Sequence, residues 1–391
     1  MLRLLHTADV HLGARHADLG GAASAQRERQ FAAFAASVDL ALAEKVDAFL
    51  VAGDLFDSNV QPRRSIERVA AELGRLVSAR IRAVIVPGTH DVYDRASVYR
   101  AYDLAALAGA PAGGDLLTVL TPERPWVHLD ALDAVVHGPV FPTKRAPHSP
   151  LRDLATVTAP EATWRIGLLH AAIAIPGRTD HDDVVITNDE IAASGLDYLA
   201  LGHWHGAQVG SARGVTWAYA GAPEPVALDQ DKAGKVLLVT LDRAGGEKRV
   251  GVEERVVGRT AFERIEVDAA SLESQPALIS RLRAAATPDT VLDVRLVGVR
   301  PDELDVDVAE VEEALRPATL RIRVRDHSVP PLTEGTLPPA ETIAGAFIRN
   351  VEGRIAALEG SPDTAAAREA EELRDVLRLG RLLLAGREVT L

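Results

Sequence analysis

Residues 48–57 read AFLVAGDLFD. Five apolar residues are followed at once by a glycine, and two aspartates stand three positions apart in the segment after it. A short apolar run that ends at a glycine is typical of a strand buried on both faces, and the glycine permits a sharp bend. The pattern predicts a buried strand whose carboxyl end presents Asp54 and Asp57 in a loop.

A short apolar run followed by Asp or His occurs four times elsewhere in the chain. The apolar runs are Leu2–Leu5, Ala83–Val86, Ile166–Leu169 and Tyr198–Leu201. The segments after them contain Asp9-Val10-His11, Gly88-Thr89-His90-Asp91, His170 and Gly202-His203-Trp204-His205. Stretches with helical spacing of apolar residues, Ala25–Lys45 and Arg64–Ala79, separate several runs. Strands alternating with helices indicate an α/β core, in which functional residues gather beyond the carboxyl ends of the strands.

Composition narrows the chemistry that such a site can use. The chain has 391 residues, twelve histidines, no cysteine and a formal net charge of −13. The lack of cysteine excludes disulfides and thiolate sites, so a metal would be held by oxygen and imidazole nitrogen, which suit manganese, iron or zinc. The acidic charge argues against a wholly basic DNA-binding surface, although local basic patches remain open. No apolar run is long enough to span a membrane, and we expect a cytoplasmic protein.

Each motif has an ordinary structural explanation when it is taken alone. The Asp9-x-His11 pair could form a capped turn, the Gly53–Asp57 segment a solvated loop, and His170 a buried core histidine. All five motifs together, each at a strand end, favour a metal site. One carboxylate that bridges two ions about 4 Å apart would let the ions activate water for attack on phosphorus.

The five motifs, in this order, resemble those of the calcineurin-like metallophosphoesterase superfamily. Within it the chain is most similar to the SbcD-type DNA double-strand-break repair nucleases. The resemblance implies a four-layer α/β/β/α sandwich of two sheets flanked by helices. It also implies two divalent metal ions, with manganese expected and magnesium, iron or zinc as alternatives.

The resemblance further assigns a metal-binding role to individual residues. The first metal would be held by Asp9, His11 and His205, the second by His170 and His203, and both would share Asp54. His90 would contact the substrate phosphate and help the leaving oxygen depart, with Asp57 orienting its ring.

Position 89 departs from the family pattern, which is Gly-Asn-His-Asp. The asparagine of that pattern supplies an amide oxygen to the second metal, whereas this chain has Thr89. A threonine hydroxyl reaches less far and is a poorer neutral donor to a dication. We therefore expect the second ion to bind, but more weakly than it would with an amide ligand.

The motif content of the sequence changes near residue 258. Residues 1–258 contain all five motifs and are predicted to form the metallophosphoesterase domain. Residues 259–327 predict further strands and helices without a histidine cluster, and hence a small α/β capping domain. Residues 328–391 begin with a proline-rich linker, Ser328–Pro339, and continue as a C-terminal helical hairpin with apolar stripes at Ile343–Leu358 and Leu373–Leu384.

The resemblance implies a DNA exonuclease with endonuclease activity in double-strand-break repair, whose hairpin docks an SbcC-like coiled-coil ATPase. The hairpin could equally pack on its own chain, and the sequence leaves a homodimer open. Two other functions remain as alternatives. One is a phosphodiesterase or phosphatase acting on small or protein substrates. The other, favoured by Thr89, is a non-catalytic scaffold that binds DNA ends through a weakened metal site.

Basic residues near the motifs could position DNA phosphates without reading sequence. The segment Phe141–Pro150, FPTKRAPHSP, is the strongest candidate for a DNA-facing loop because it joins basic residues to proline-stiffened turns. The alternative for each basic residue is a solvated charge. Trp204, between two histidines, is interpreted either as a wedge near the substrate or as a core residue.

Overall fold

The computed structural model describes residues 1–16, 23–156, 159–179, 183–227, 229–301, 304–329, 338–359 and 364–384. The chain divides into two compact units, Met1–Ala261 and Phe262–Leu391. Among the described helices, none has the length and apolar character needed to cross a bilayer.

The first unit contains two six-stranded sheets and a two-stranded ribbon. Its strands are β1 (Leu2–Thr7), β2 (Ala48–Ala52), β3 (Arg82–Val86), β4 (Leu117–Val119), β5 (Trp126–Leu129), β6 (Ala134–His137), β7 (Trp164–His170), β8 (Ala172–Ile173), β9 (Val185–Ile186), β10 (Tyr198–Gly202), β11 (Gln208–Ala212), β12 (Val215–Tyr219), β13 (Lys235–Ala244) and β14 (Glu247–Val256). Its helices are α1 (Ala23–Ala43), α2 (Arg63–Ser78), α3 (Val98–Ala101), α4 (Leu104–Leu107), α5 (Pro150–Thr156) and α6 (Asn188–Ala193). The sheet orders are β14-β13-β1-β2-β3-β4 and β11-β12-β10-β7-β6-β5, and β8 pairs with β9.

Alternate residues of the central strands face two different cores. In β2, Leu50 belongs to the core between the two sheets, whereas Phe49 and Val51 belong to the core under α1 and α2. On the far side of the second sheet, residues such as Leu199 pack with Ile191 of α6. This alternation is what a strand buried on both faces requires. The structure therefore confirms the predicted α/β/β/α sandwich.

The parallel strands bring the predicted loops to one edge. In the first sheet β1, β2 and β3 are parallel neighbours, and in the second sheet β7 and β10 are parallel neighbours. The loops at their carboxyl ends meet across the sandwich, because the backbone N–H of His203, after β10, donates to the Asp9 carboxylate, after β1, at 3.0 Å. All five motifs thus lie at the place that the α/β architecture favours for function.

The described residues of the second unit form the strands β15 (Ala261–Asp268), β16 (Thr290–Val297) and β17 (Arg321–Asp326) and the α-helices α7 (Gln275–Arg283), α8 (Val308–Leu315), α9 (Ile343–Glu359) and α10 (Thr364–Leu384). The three strands make one sheet, of order β15-β16-β17. Side-chain caps begin two of the helices, since Ser274 accepts from the Ala277 N–H and Asp307 from the Ala309 N–H. The small α/β unit and the helical pair agree with the predicted fold class.

Helices α9 and α10 pack together through Val351, Ile355 and Leu373. Ile343, the first residue of the predicted stripe, is 82% exposed and does not take part in this packing. Ile343 is the first residue of α9, one turn before Phe347, which does pack in this cluster. Most of the predicted linker, residues 330–337, lies outside the described residues. Separate capping and docking roles for this C-terminal third of the chain stay predictions.

His6 of β1 is a buried histidine outside the candidate site. Its Nδ1 atom hydrogen-bonds to the Tyr198 hydroxyl at 2.8 Å. Burial lowers the pKa of His6 to about 3, because desolvation disfavours the charged imidazolium. His6 is therefore neutral in the folded protein at neutral pH.

This lowered pKa predicts acid sensitivity of the first unit. An unfolded histidine titrates near 6.5, so the unfolded state binds more protons below that pH and stability falls as pH falls from about 6.5 towards 3, by about 1.4 kcal/mol per pH unit. Between pH 7.5 and 5.0 we expect the free energy of unfolding of the wild type to drop by about 2 kcal/mol more than that of His6→Leu, measured by denaturant titration with a chelator present. Tyr198→Phe, which keeps the histidine, serves as the control. Equal drops in wild type and His6→Leu would contradict the prediction.

Candidate metal centre

The loops after β1 and β2 are joined by backbone hydrogen bonds. The N–H of Asp9 donates to the Gly53 carbonyl at 3.1 Å, and the N–H of His11 donates to the Asp54 carbonyl at 2.9 Å. Asp9, His11 and Asp54 have φ values of 50°, 49° and 50°, a left-handed conformation that non-glycine residues seldom adopt. Strained backbone of this kind often occurs at functional sites, where the surrounding structure holds it in place.

Two glycines allow the loops to approach closely. A Cβ atom on Gly53 would lie 2.3 Å from Nδ1 of His170, and one on Gly88 would lie 2.2 Å from Oδ1 of Asp54. Any side chain at either position would displace a polar group of the centre. The glycines of these motifs therefore serve close packing between loops.

Three overlapping groups of side chains place one candidate ligand atom each within 4.8 Å of one another. The groups are Asp9, His11 and His205; Asp9, Asp54 and His170; and His11, Asp57 and His90. Oδ2 of Asp54 lies 3.7 Å from Nε2 of His11 and 3.2 Å from Nε2 of His170. The Asp54 carboxylate thus stands between a histidine of the first group and a histidine of the second.

The two histidines nearest Asp54 have their rings oriented by hydrogen bonds at Nδ1. His170 donates to the Ala52 carbonyl at 3.0 Å, and His11 donates to the Asp57 carboxylate at 3.2 Å. Their Nε2 atoms are buried and, among the residues that the structure describes, make no hydrogen bond. A metal-binding histidine usually has one ring nitrogen directed at the metal while the other donates a hydrogen bond to an oxygen. These residues fit a divalent cation.

Negative charge dominates this part of the site. Burial alone would lower the pKa of His170, but the charges of Asp54 and Asp9 outweigh it and raise that pKa to about 10. The pKa of His11 is likewise raised, against the effect of burial, by its hydrogen bond to Asp57 and by the nearby carboxylates. Burial would raise the pKa of Asp54, yet the neighbouring His170 and His11 hold it far below its usual range. A cluster that holds protons on its histidines offers a favourable place for a cation.

His203 and Thr89, predicted for the second metal, lie beside these groups rather than in them. The His203 ring centroid is 5.4 Å from that of His170. Thr89 and His170 line a small pocket of about 30 Å³, together with Phe141 and Lys144. The predicted DNA-facing segment therefore borders the centre on the side of the second group.

His90 lies at the mouth of the centre, and its side chain is 44% exposed. Its Nδ1 atom donates to the backbone carbonyl of Asp57 at 3.1 Å, whereas the Asp57 carboxylate is 3.8 Å from it and only 3.2 Å from Nδ1 of His11. The hydrogen bond to His11 lowers the pKa of Asp57. Asp57 thus orients His90 through its main chain and His11 through its side chain, a division that sequence reasoning did not anticipate.

Comparison with known proteins identifies the family of the region that contains these loops. Residues 2–207, which contain the five loops, match the calcineurin-like phosphoesterase family. The chain belongs to this family. The family resemblance noted from the sequence is therefore confirmed.

Several relatives within this family are similar over much of the chain. The chain is 29% identical over 276 residues to the DNA double-strand break repair protein Mre11 of Aeropyrum pernix, covering 68% of this chain and 64% of that protein. It is 31% identical over 283 residues to the SbcD subunit of nuclease SbcCD of Rhodobacter capsulatus, covering 63% and 67%. It is 25% identical over 237 residues to the uncharacterized metallophosphoesterase YhaO of Bacillus subtilis, covering 56% and 52%. The aligned part thus spans between half and two thirds of these relatives.

The sequence did not assign a role to two residues that support the candidate centre. Buried Asp91 accepts from the Gly88 N–H at 2.7 Å and from the Phe56 N–H at 3.2 Å, which joins the loops after β3 and β2; burial raises its pKa. The side-chain amide of Gln230 hydrogen-bonds to Nδ1 of His205 at 2.6 Å and so restrains that ring. Asp91 follows the motif histidine directly and could have been recognised, whereas nothing in the sequence marks Gln230.

Proposed function

We propose that the chain is a two-metal-ion phosphodiesterase that cleaves DNA in double-strand-break repair. The observation that carries the proposal is the position of the Asp54 carboxylate between the buried Nε2 atoms of His11 and His170. A shared carboxylate between two ligand groups is the feature that a two-metal phosphoesterase requires. DNA is favoured as substrate because two relatives are named as a DNA break repair protein and as part of a nuclease.

The ligand assignment combines two of these groups with the family resemblance. Asp9, His11 and His205 would hold the first ion, His170 and His203 would hold the second, and Asp54 would be shared. Oxygen and imidazole donors suit manganese, which we propose as the metal, as well as iron, zinc or magnesium. Bound there, two divalent ions would polarise the phosphate and supply an activated water for in-line attack.

His90 acts as the proton donor at the exposed side of the centre. Because a carbonyl oxygen only accepts, the bond to Asp57 fixes a proton on Nδ1 and leaves Nε2 as the atom that gains or loses the second proton. A protonated ring can donate to the leaving oxygen of the phosphodiester. Lys144, which lines the pocket beside His170, contributes positive charge for the DNA backbone.

The proposal is tested by comparing substrates at fixed protein and metal. Purified protein is assayed with manganese, magnesium or zinc on single- and double-stranded oligonucleotides, on bis(p-nitrophenyl) phosphate and on cyclic nucleotides, and its metal content is measured. We expect manganese-dependent cleavage of DNA with a kcat/KM well above that for the small esters. Cleavage of small esters alone would indicate a small-molecule phosphodiesterase. DNA binding without cleavage under any metal would favour the scaffold function.

Thr89 gives a prediction about the strength of the second metal site. Three protein ligands remain there, and catalytic sites commonly keep an open position for water or substrate. We expect Thr89→Asn to lower the manganese concentration needed for half-maximal activity by at least about tenfold. The amide oxygen would be a direct ligand, and even residues that only hydrogen-bond to metal ligands change affinity by roughly 10–100-fold. Manganese titration of activity and of binding measures this shift, with Thr89→Val as the control. An Asn variant that binds metal no better than wild type would show that position 89 does not reach the ion.

The helical pair gives a prediction about the proposed ATPase partner. Val376, Leu383 and Leu384 of α10 are 47%, 60% and 43% exposed, an apolar surface that a coiled-coil ATPase could cover. We expect a chain that lacks residues 340–391 to keep hydrolysis of bis(p-nitrophenyl) phosphate and to lose copurification with an SbcC-like ATPase. Leu383→Glu, which leaves the helices in place, should weaken copurification by itself. Insoluble truncated protein together with normal binding by Leu383→Glu would indicate that the hairpin only completes the fold.

A further inference from the structure

A second cleft lies directly beside the candidate metal centre. Its volume is about 550 Å³, and its lining includes Arg178, Trp204, His205, Gln230 and Lys232. Such a volume falls within the range of roughly 300–1,000 Å³ that small-ligand sites occupy. His205 belongs both to this cleft and to a candidate metal-ligand group. A ligand in the cleft would therefore lie next to the phosphate that the metals hold.

One wall of the cleft is a cation placed on an aromatic ring. The guanidinium carbon of Arg178 lies 4.7 Å from the centre of the Trp204 ring. Trp204 is itself held by the core of the second sheet, where its ring centroid is 6.2 Å from that of Tyr219. Arg178 is exposed. Since a guanidinium plane stacks on nucleobases as well as on aromatic rings, this pair offers a flat, charged platform for a base.

A second cation stands next to the metal-binding loop. The Lys232 side chain packs against Gly206, the residue after His205. A Cβ atom on Gly206 would lie 3.2 Å from Cβ of Lys232. Lys232 is exposed. An ammonium group on a flexible stem suits a phosphate, which it contacts as a point charge. The cleft thus combines a stacking platform with a phosphate contact.

We propose that this cleft binds the nucleotide adjacent to the reacting phosphate, with its base on the Arg178 guanidinium and its phosphate against Lys232. The inference rests on the proposed DNA cleavage and specifies how the strand passes the metal centre. Recognition of this kind is independent of sequence, because every base has a flat face. It also requires an unpaired base, so the strand in the cleft is single.

The test is binding of a short fluorescein-labelled single-stranded oligonucleotide to the full chain with manganese, with phosphorothioate linkages to slow cleavage. We expect Arg178→Ala to weaken binding about tenfold, within the range for loss of one stacked base. Lys232→Ala should weaken binding and reduce the slope of log affinity against log salt by about 0.7, the value for one phosphate contact on a single strand. Arg249→Ala, an exposed arginine of β14, is the matched control and should bind as the wild type does.

Arg178→Lys separates stacking from charge. Wild-type protein should bind the normal oligonucleotide about tenfold more tightly than one with an abasic site at the contacted nucleotide, and Arg178→Lys should lose this preference while its salt slope stays unchanged. If Arg178→Ala binds DNA as tightly as Arg249→Ala does, the nucleotide site is wrong even where the wild type cleaves DNA. If the wild type shows the binding pattern but cleaves no DNA, the site stands and the proposed nuclease activity fails.

Discussion

Asp54→Ala should abolish most of the activity and deplete both metal sites together. We expect kcat/KM on DNA to fall on the order of 10³-fold or more, and both metals to be depleted, because metal polarisation supplies several kcal/mol of transition-state stabilisation. The Asp54 carboxylate is placed within 4 Å of Nε2 of both His11 and His170, so its removal affects both ligand groups together. Metal content by mass spectrometry and steady-state kinetics measure the two effects.

Asp54→Asn separates the loss of charge from distortion of the loop. Oδ1 of Asp54 accepts the His90 N–H at 2.7 Å, and an asparagine oxygen can keep this bond while the shared negative charge is lost. We expect the Asn variant to be as inactive and as poor in metal as the Ala variant, with unchanged circular dichroism. Wild-type metal content in either variant would show that Asp54 does not bridge the ions.

The sequence predicts the strands and their loops well because the signals are local. Each apolar run and the Asp or His after it lie within about ten residues, as in the segment 48–57, and buried parallel strands have no polar face to obscure them. The convergence of the loops then follows from topology, since parallel neighbours end at the same edge of a sheet. Fold class and candidate ligands therefore come from the same short segments.

Contacts between distant segments could not be predicted in this way. Gln230 reaches His205 across 25 residues, and the Asp57 carboxylate bonds His11 across 46 residues. The backbone geometry of the loops decides which nearby histidine a carboxylate contacts. That geometry includes left-handed residues, such as His11 at φ 49°, and a sequence pattern does not specify them. The long antiparallel pair β13–β14 was not predicted either, because its outer strand is mostly exposed and contains no buried apolar run.

His90→Gln should reduce the rate without removing the metals. We expect kcat on DNA to fall by roughly 10²–10⁴, the usual contribution of a positioned acid–base group. Metal content should stay near the wild-type value, because His90 is 44% exposed and its bonded nitrogen faces the Asp57 carbonyl. The matched control is His128→Gln, a histidine of β5 whose side chain is 26% exposed, and it should retain wild-type activity.

The nature of the leaving group makes this prediction specific to proton donation. A DNA alkoxide needs a proton as it departs, whereas p-nitrophenolate departs readily without one, so an acid contributes little to hydrolysis of the aryl ester. His90→Gln should therefore slow DNA cleavage at least about tenfold more than it slows hydrolysis of bis(p-nitrophenyl) phosphate. Equal slowing of both substrates with full metal content would assign His90 to phosphate binding instead. Parallel loss of metal and activity would make His90 a metal ligand, and the third group of side chains, with His11 and Asp57, would then be part of the metal site itself.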